Sequence, residues 1–311
     1  MGGLLAWYDL HARPLPWRVE KVSPWEYLLA EIILQQTRME TGLPYWERIR
    51  AAYPTPEALA ADSEENLLRL WQGCGYYARA RNLHRLATTL DGGPLPNTRD
   101  ALLELPGIGP YTAAAVASIA FGQAVACVDG NVRRVLSRLQ AADLSDAEAS
   151  NLADQLLDSD RPGDWNQALM ELGANICSPR NPTCGDCPFN TTCQATKTED
   201  PTRWPKRKST KQKRILATVL IVEGPKGILL EARQGKTLSG MWGLPMSEGG
   251  EDLLIGRQTE HIGHVRHDFT HKRFEISVHR APAREGDALV DPSTVPLAKL
   301  DQKVLALHRG E

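Results

Sequence analysis

Apolar residues recur at three- and four-residue spacing from Ser23 to Leu172, in segments separated by Pro, Gly or Asn/Asp. The periodicity predicts helices over Pro24–Met39, Glu64–Trp71, Ala78–Leu90, Thr98–Leu105, Tyr111–Phe121 and Val132–Leu139. Towards the C-terminus the pattern changes. Ile215–Val222 and Gly227–Ala232 are rich in β-branched and aliphatic residues, and Phe274–His279 alternates apolar with polar positions, which predicts strands. A mainly α domain over 1–197, a linker over 198–213 and an α+β domain over 214–311 are therefore expected. At 311 residues the chain can build two cores.

Charge refines this division. The net charge is −2, yet residues 1–200 hold 17 basic and 25 acidic residues against 19 and 13 in 201–311. Much of the basic excess lies in Arg203–Arg214, which has seven Lys or Arg and no Asp or Glu. Such a run reads either as a solvated linker or as a segment that lies along phosphates. No apolar run approaches the ~20 residues of a membrane span, and the N-terminus lacks a secretory pattern. A soluble, intracellular protein with no membrane partner is expected, cytoplasmic and nucleoid-associated if it acts on DNA.

Four of the six cysteines crowd together as Cys177, Cys184, Cys187 and Cys193, a C-x6-C-x2-C-x5-C arrangement interleaved with Pro179, Pro182 and Pro188. Four thiolates this close imply a metal, and both zinc and an iron–sulfur cube accept four cysteines. Cys74 and Cys127 stand apart and read as buried small residues.

Three further features carry chemistry. Leu105-Pro106-Gly107-Ile108-Gly109-Pro110-Tyr111-Thr112 runs directly into a small-residue helix. Gly107, Ile108 and Gly109 can turn backbone amides toward one phosphate at the positive end of that helix, the signature of a helix–hairpin–helix grip. Glu31 sits among apolar residues on both sides, where desolvation raises a carboxyl pKa toward a useful acid, unless it lies on the polar stripe of its helix. Asp129 precedes the helix of Val132–Leu139, as a cap or as a second functional carboxylate.

In this order the pieces resemble the helix–hairpin–helix glycosylase superfamily, and within it the MutY family of adenine DNA glycosylases. The resemblance rests on Leu34-Gln35-Gln36-Thr37 after Glu31, Gly73-Cys74-Gly75-Tyr76-Tyr77, Leu105–Thr112, Val128-Asp129-Gly130-Asn131-Val132, the cysteine spacing and Phe269-Thr270-His271. It implies a 4Fe-4S cluster on the four cysteines, and removal of adenine mispaired with 8-oxoguanine or guanine in double-stranded DNA by a monomeric enzyme. Glu31 would protonate the base, Asp129 would face the sugar, and Tyr111 and Asn131 would position them. The sister family, endonuclease III, carries a lysine nucleophile where this chain has Tyr111, so a monofunctional glycosylase is implied.

By the same resemblance Arg13, Trp17, Arg18, Leu34 and Gln167 would meet adenine, although Trp17 can equally be a core anchor. Gln36, Thr37 and Tyr76 would read the opposite base. The C-terminal domain looks Nudix-like, with Leu238–Pro245 as its clearest motif, and lacks the clustered carboxylates that bind magnesium in a catalytic Nudix box. Phe269, Thr270 and His271 would form its lesion-sensing loop, with Thr270 in place of the family's usual serine. The rival readings are a lyase acting on oxidised pyrimidines, a non-catalytic DNA-scanning or redox-sensing protein, and nucleotide-pool hydrolysis. Tyr111, retention of Glu31, Asp129 and Asn131, and the missing Nudix box oppose them in turn.

Overall fold

A computed structural model describes residues 3–18, 22–206, 212–234, 238–249, 252–269 and 271–310. Thr270 and residues 207–211 of the expected linker therefore lie outside the described residues. The helices before the strands are α1 (Gly3–His11), α2 (Pro24–Leu34), α3 (Met39–Ala52), α4 (Pro56–Ala60), α5 (Glu64–Trp71) and α6 (Ala78–Leu90). They continue as α7 (Arg99–Leu103), α8 (Pro110–Phe121), α9 (Gly130–Gln140), α10 (Asp146–Leu156) and α11 (Pro162–Asn175). None of the described helices is long and apolar enough to cross a membrane.

The residues pack as two compact units. One comprises Met1–Met39, Ala52–Glu57 and Arg85–Lys208, and the other Glu40–Ala51, Ala58–His84 and Ser209–Glu311. The second unit thus draws two stretches of the helical region together with the strands.

In the first unit, α2 starts from a capping box in which Ser23 and Glu26 satisfy each other's backbone amides, with Pro24 in the first turn. It ends at Leu34 rather than at the expected Met39. Gln36 adopts the left-handed region at φ 56°, and the side chain of Gln35 donates to Thr112 Oγ1 at 2.9 Å. No Gly or Pro marks this break, so apolar periodicity alone runs through it.

Helix α8 buries Ala113–Ala117, and these small side chains let α2 and α11 pack closely against it. A Cβ on Gly163 of α11 would stand 2.9 Å from Ser118 O. Buried Asn166 donates to Ser118 Oγ at 2.8 Å and Val125 O at 2.9 Å, and accepts from Cys127 N at 3.1 Å. All of its polar atoms are used, and the segment leading to Asp129 is held in place.

The second unit contains β1 (Lys213–Gly224), β2 (Gly227–Leu229), β3 (Glu231–Ala232), β4 (Trp242–Gly243), β5 (Met246–Glu248), β6 (Glu260–Asp268), β7 (Lys272–Pro282), β8 (Leu289–Val290) and α12 (Lys299–Arg309). The expected strand Gly227–Ala232 is two strands, β2 and β3. The main sheet runs β6-β7-β1-β2-β8, with β5 also on β1, and β1 lies parallel to β7. Val219, Ile221, Ile276 and Val278 form its core with Leu300 and Val304 of α12. Buried Asp301 holds Leu244 N at 2.9 Å and Arg233 Nη2 at 2.7 Å.

Candidate active site and cysteine loop

Two tyrosine hydroxyls hold Glu31. Tyr27, one turn earlier on α2, donates to Oε1 at 2.5 Å, and Tyr111 in the first turn of α8 donates to Oε2 at 2.9 Å. Burial pushes the Glu31 carboxyl up; the tyrosine hydrogen bonds and Arg18 pull it partly back, and the charge of Asp129 adds to the rise. The net direction is upward. Phenol oxygens can accept as well as donate, so the same pair can serve a protonated or an ionised Glu31. Burial raises both tyrosines well above their ordinary range, which keeps them neutral.

Asp129 is the N-cap of α9. Its Oδ1 accepts from Val132 N at 2.6 Å, and its Oδ2 accepts from Asn131 Nδ2 at 3.0 Å. Asn131 is itself held by Arg134, which donates to Asn131 Oδ1 at 3.0 Å, Gly173 O at 2.7 Å and Cys177 O at 2.8 Å. A Cβ on Gly173 would meet Asn131 Cβ at 2.8 Å, so α11 presses on this side chain. The cap and the functional readings of Asp129 are compatible, since one carboxylate oxygen anchors the helix and the other meets Asn131.

Arg13 and Arg18 converge on Glu171, a carboxylate the motif reading passed over. Arg18 also donates to Gln167 Oε1 at 3.1 Å. Trp17 is buried at 7% exposure, and Leu34 is partly buried at the end of α2. Gln36 is exposed and Thr37 partly buried in the turn that follows.

The hairpin between α7 and α8 has Gly107 at φ 78°, a buried Ile108, and Gly109 as an N-cap with no side-chain hydrogen bond. Backbone amides at the start of α8 are thus not covered by a capping side chain. In the second unit Tyr76 stands 45% exposed at φ 50°, directly after Gly75, which like Gly73 is left-handed. The Arg79 guanidinium lies 5.2 Å from its ring centroid. Phe269 packs edge-on against His267 and Phe274 at the end of β6, while His271 is exposed at the start of β7.

Cys177 follows α11, and Cys184 opens a short 3-10 helix. Burial raises Cys184, and Cys187 to about 11, with smaller contributions from the charges of the other cysteines of the set. Among the described residues no three His, Cys, Asp or Glu side chains converge on a single ion. Arg138, 3% exposed, donates to Cys177 Sγ at 3.3 Å, Ser178 O at 2.8 Å, Pro179 O at 3.2 Å and Trp204 O at 3.1 Å. Cys74 and Cys127 are buried, as expected.

Helix–hairpin–helix geometry beside a pair of carboxylates places the chain in a class. Residues 29–157 match the HhH-GPD superfamily of base excision DNA repair proteins. A thermostable thymine-DNA glycosylase structure is similar at 30% identity and TM-score 0.59, over 63% of this chain and 94% of that one. The chain belongs to the HhH-GPD superfamily.

Within it, the chain is 44% identical to the human adenine DNA glycosylase over 211 residues, 62% of this chain and 39% of that protein. The Mycobacterium tuberculosis adenine DNA glycosylase is 41% identical over 197 residues, covering 60% and 64%. The match thus spans about two-fifths of the human relative's length. A trapped endonuclease III–DNA covalent intermediate is similar at 28% identity and TM-score 0.55, over 63% of this chain and 94% of that one.

Proposed function

We propose that this chain is a monofunctional DNA glycosylase of base excision repair that hydrolyses the N-glycosidic bond of adenine opposite 8-oxoguanine or guanine. The observation that carries this reading is Glu31, desolvated and clasped by Tyr27 and Tyr111, with Asp129 near enough to raise it further. The adenine DNA glycosylase relatives support the choice of base.

The chemistry follows from the residues. An extruded adenine is a poor leaving group until protonated, and Glu31 with its raised pKa supplies that proton. Positive charge then develops on the sugar, where the Asp129 carboxylate stabilises it, oriented by Val132 N and Asn131. Glu31, now ionised, can activate the attacking water, which is the two-carboxylate logic of glycoside hydrolysis. Tyr111 offers a phenol rather than an amine, so it cannot form a Schiff base with the sugar. Arg13, Trp17, Arg18, Leu34 and Gln167 would enclose the base, and the amides around Gly107–Gly109 would grip a phosphate.

Gln36, Thr37, Tyr76 and the Nudix-like domain's Phe269, Thr270 and His271 would read the opposite base. Exposure of Tyr76 on the turn that follows Gly75 suits a wedge. Cys177, Cys184, Cys187 and Cys193 would hold a 4Fe-4S cluster. Four cysteines accept either zinc or a cube, and the family resemblance carries the choice of the cube, in which each thiolate binds its own iron. The cluster would tie the loop after α11 together and place its basic surroundings.

The reading is tested by chromatographic detection of the base freed from matched duplexes. Free adenine is expected from A opposite 8-oxoguanine and, more slowly, from A opposite G, with none from A opposite T. Release of a pyrimidine instead would contradict it.

A further inference from the structure

One carboxylate beside the site takes no part in the two-carboxylate chemistry. Glu171 lies on α11, one turn after Gln167 and one turn before Asn175, and its side chain is 0% exposed. It accepts from Arg13 Nε at 2.5 Å and Nη2 at 3.1 Å, from Arg18 Nη2 at 2.9 Å, and from Asn175 Nδ2 at 2.7 Å. A carboxylate has about four acceptor sites, so Glu171 is saturated and has none left for a ligand. Burial alone would raise its pKa, but Arg13 and Arg18 more than reverse that and hold it below the ordinary carboxylate value.

Arg18 passes this constraint on. Besides Glu171 it donates through Nε to Gln167 Oε1 at 3.1 Å and through Nη1 to Arg13 O at 3.3 Å. A guanidinium has no acceptor, so the Gln167 atom facing it must be the carbonyl oxygen. The NH2 end of that amide is then turned away from Arg18.

We infer that Glu171 is a positioning residue that, through Arg18, fixes the amide of Gln167 with its donor end presented to the extruded base. This rests on the adenine glycosylase reading. Ring nitrogens of adenine are acceptors, so a fixed donor matches them, whereas an amide free to flip would present either polarity. Glu171 acts on the base through two intermediates and touches it nowhere.

The test is a double-mutant cycle on single-turnover adenine release from a duplex with A opposite 8-oxoguanine, using the full-length protein. Glu171→Gln and Gln167→Ala should each slow release about tenfold or more, and the double variant should fall within about threefold of the slower single. Duplex affinity should stay unchanged while the rate falls. A double variant slowed by the product of the two single effects would overturn the inference. An inactive wild type would instead sink the adenine reading, before any variant is compared.

Should Glu171→Gln not fold by circular dichroism, Arg18→Lys takes its place in the cycle. Lysine can pair with Glu171 but cannot also hold Gln167. The same non-additivity with Gln167→Ala is expected. A wild-type rate for Arg18→Lys would again overturn the inference.

Discussion

Tyr111 Oη donates to Glu31 Oε2 at 2.9 Å, which ties the first turn of α8 to the last turn of α2. The helix whose first amides have no capping side chain therefore also sets the acidity of the candidate catalytic residue. This bond favours the ionised carboxyl and opposes the rise caused by burial. Removing it in Tyr111→Phe should raise the Glu31 pKa further. The rate, which needs protonated Glu31, then falls with pH at a higher pH than in the wild type. A pH profile of single-turnover release checks this, and a shift to lower pH would be the wrong sign.

Glu31 should cost stability at neutral pH. Its native pKa is raised above the ordinary 4.5, so its contribution to folding is full below that value and is lost as pH rises through the native value. Glu31→Gln removes this cost. Its Tm should exceed that of the wild type by roughly 2 °C or more near pH 7.5, and the difference should shrink in acid. Differential scanning calorimetry across pH measures both, and a Tm lowered at neutral pH would contradict the desolvation argument.

Asp129 can be dissected by choice of substitution. Asp129→Asn keeps a side-chain oxygen for Val132 N, and so the cap, but loses the bond from Asn131 Nδ2, and release should slow by roughly a hundredfold or more. Asp129→Ala loses the cap as well and should cost about 1 kcal/mol in denaturant unfolding. Equal activity in Asn and wild-type proteins would reduce Asp129 to a cap.

The purified protein should contain about four irons per chain if the cysteine loop holds a cube. Arg138→Met removes donors to Cys177 Sγ and to three carbonyls around the loop. Iron should then be lost faster to a chelator, as followed by visible absorbance, whereas the exposed Tyr76→Ala should not change the loss. One zinc per chain by elemental analysis would replace the cube with a single ion.

Much of this was readable in the residues, for identifiable reasons. Glu31 inside an apolar run and four crowded cysteines each violate the ordinary pattern of their surroundings, and a violation is what sequence reading detects. Asp129 before a helix obeys the N-cap pattern and stood out only by the family resemblance. Tyr27 does not violate it. An aromatic in an apolar helix reads as core, and only its four-residue spacing from Glu31 could have pointed to their bond. Glu171 was hidden because a glutamate in a mixed helix reads as solvent-facing; its burial depends on Arg13 and Arg18, more than 150 positions away in the chain. The end of α2 at Leu34 escaped because it is made by a left-handed Gln36 and a long-range bond to Thr112, with no Gly or Pro to announce it.

Single-turnover reaction on a duplex with A opposite 8-oxoguanine, developed with and without alkali, tests the central claim most directly. Strand breaks at the adenine only after alkali, and absent in Glu31→Gln, are the predicted result. Breaks without alkali, or undiminished breaks in Glu31→Gln, would contradict a monofunctional adenine glycosylase that uses Glu31 as its acid.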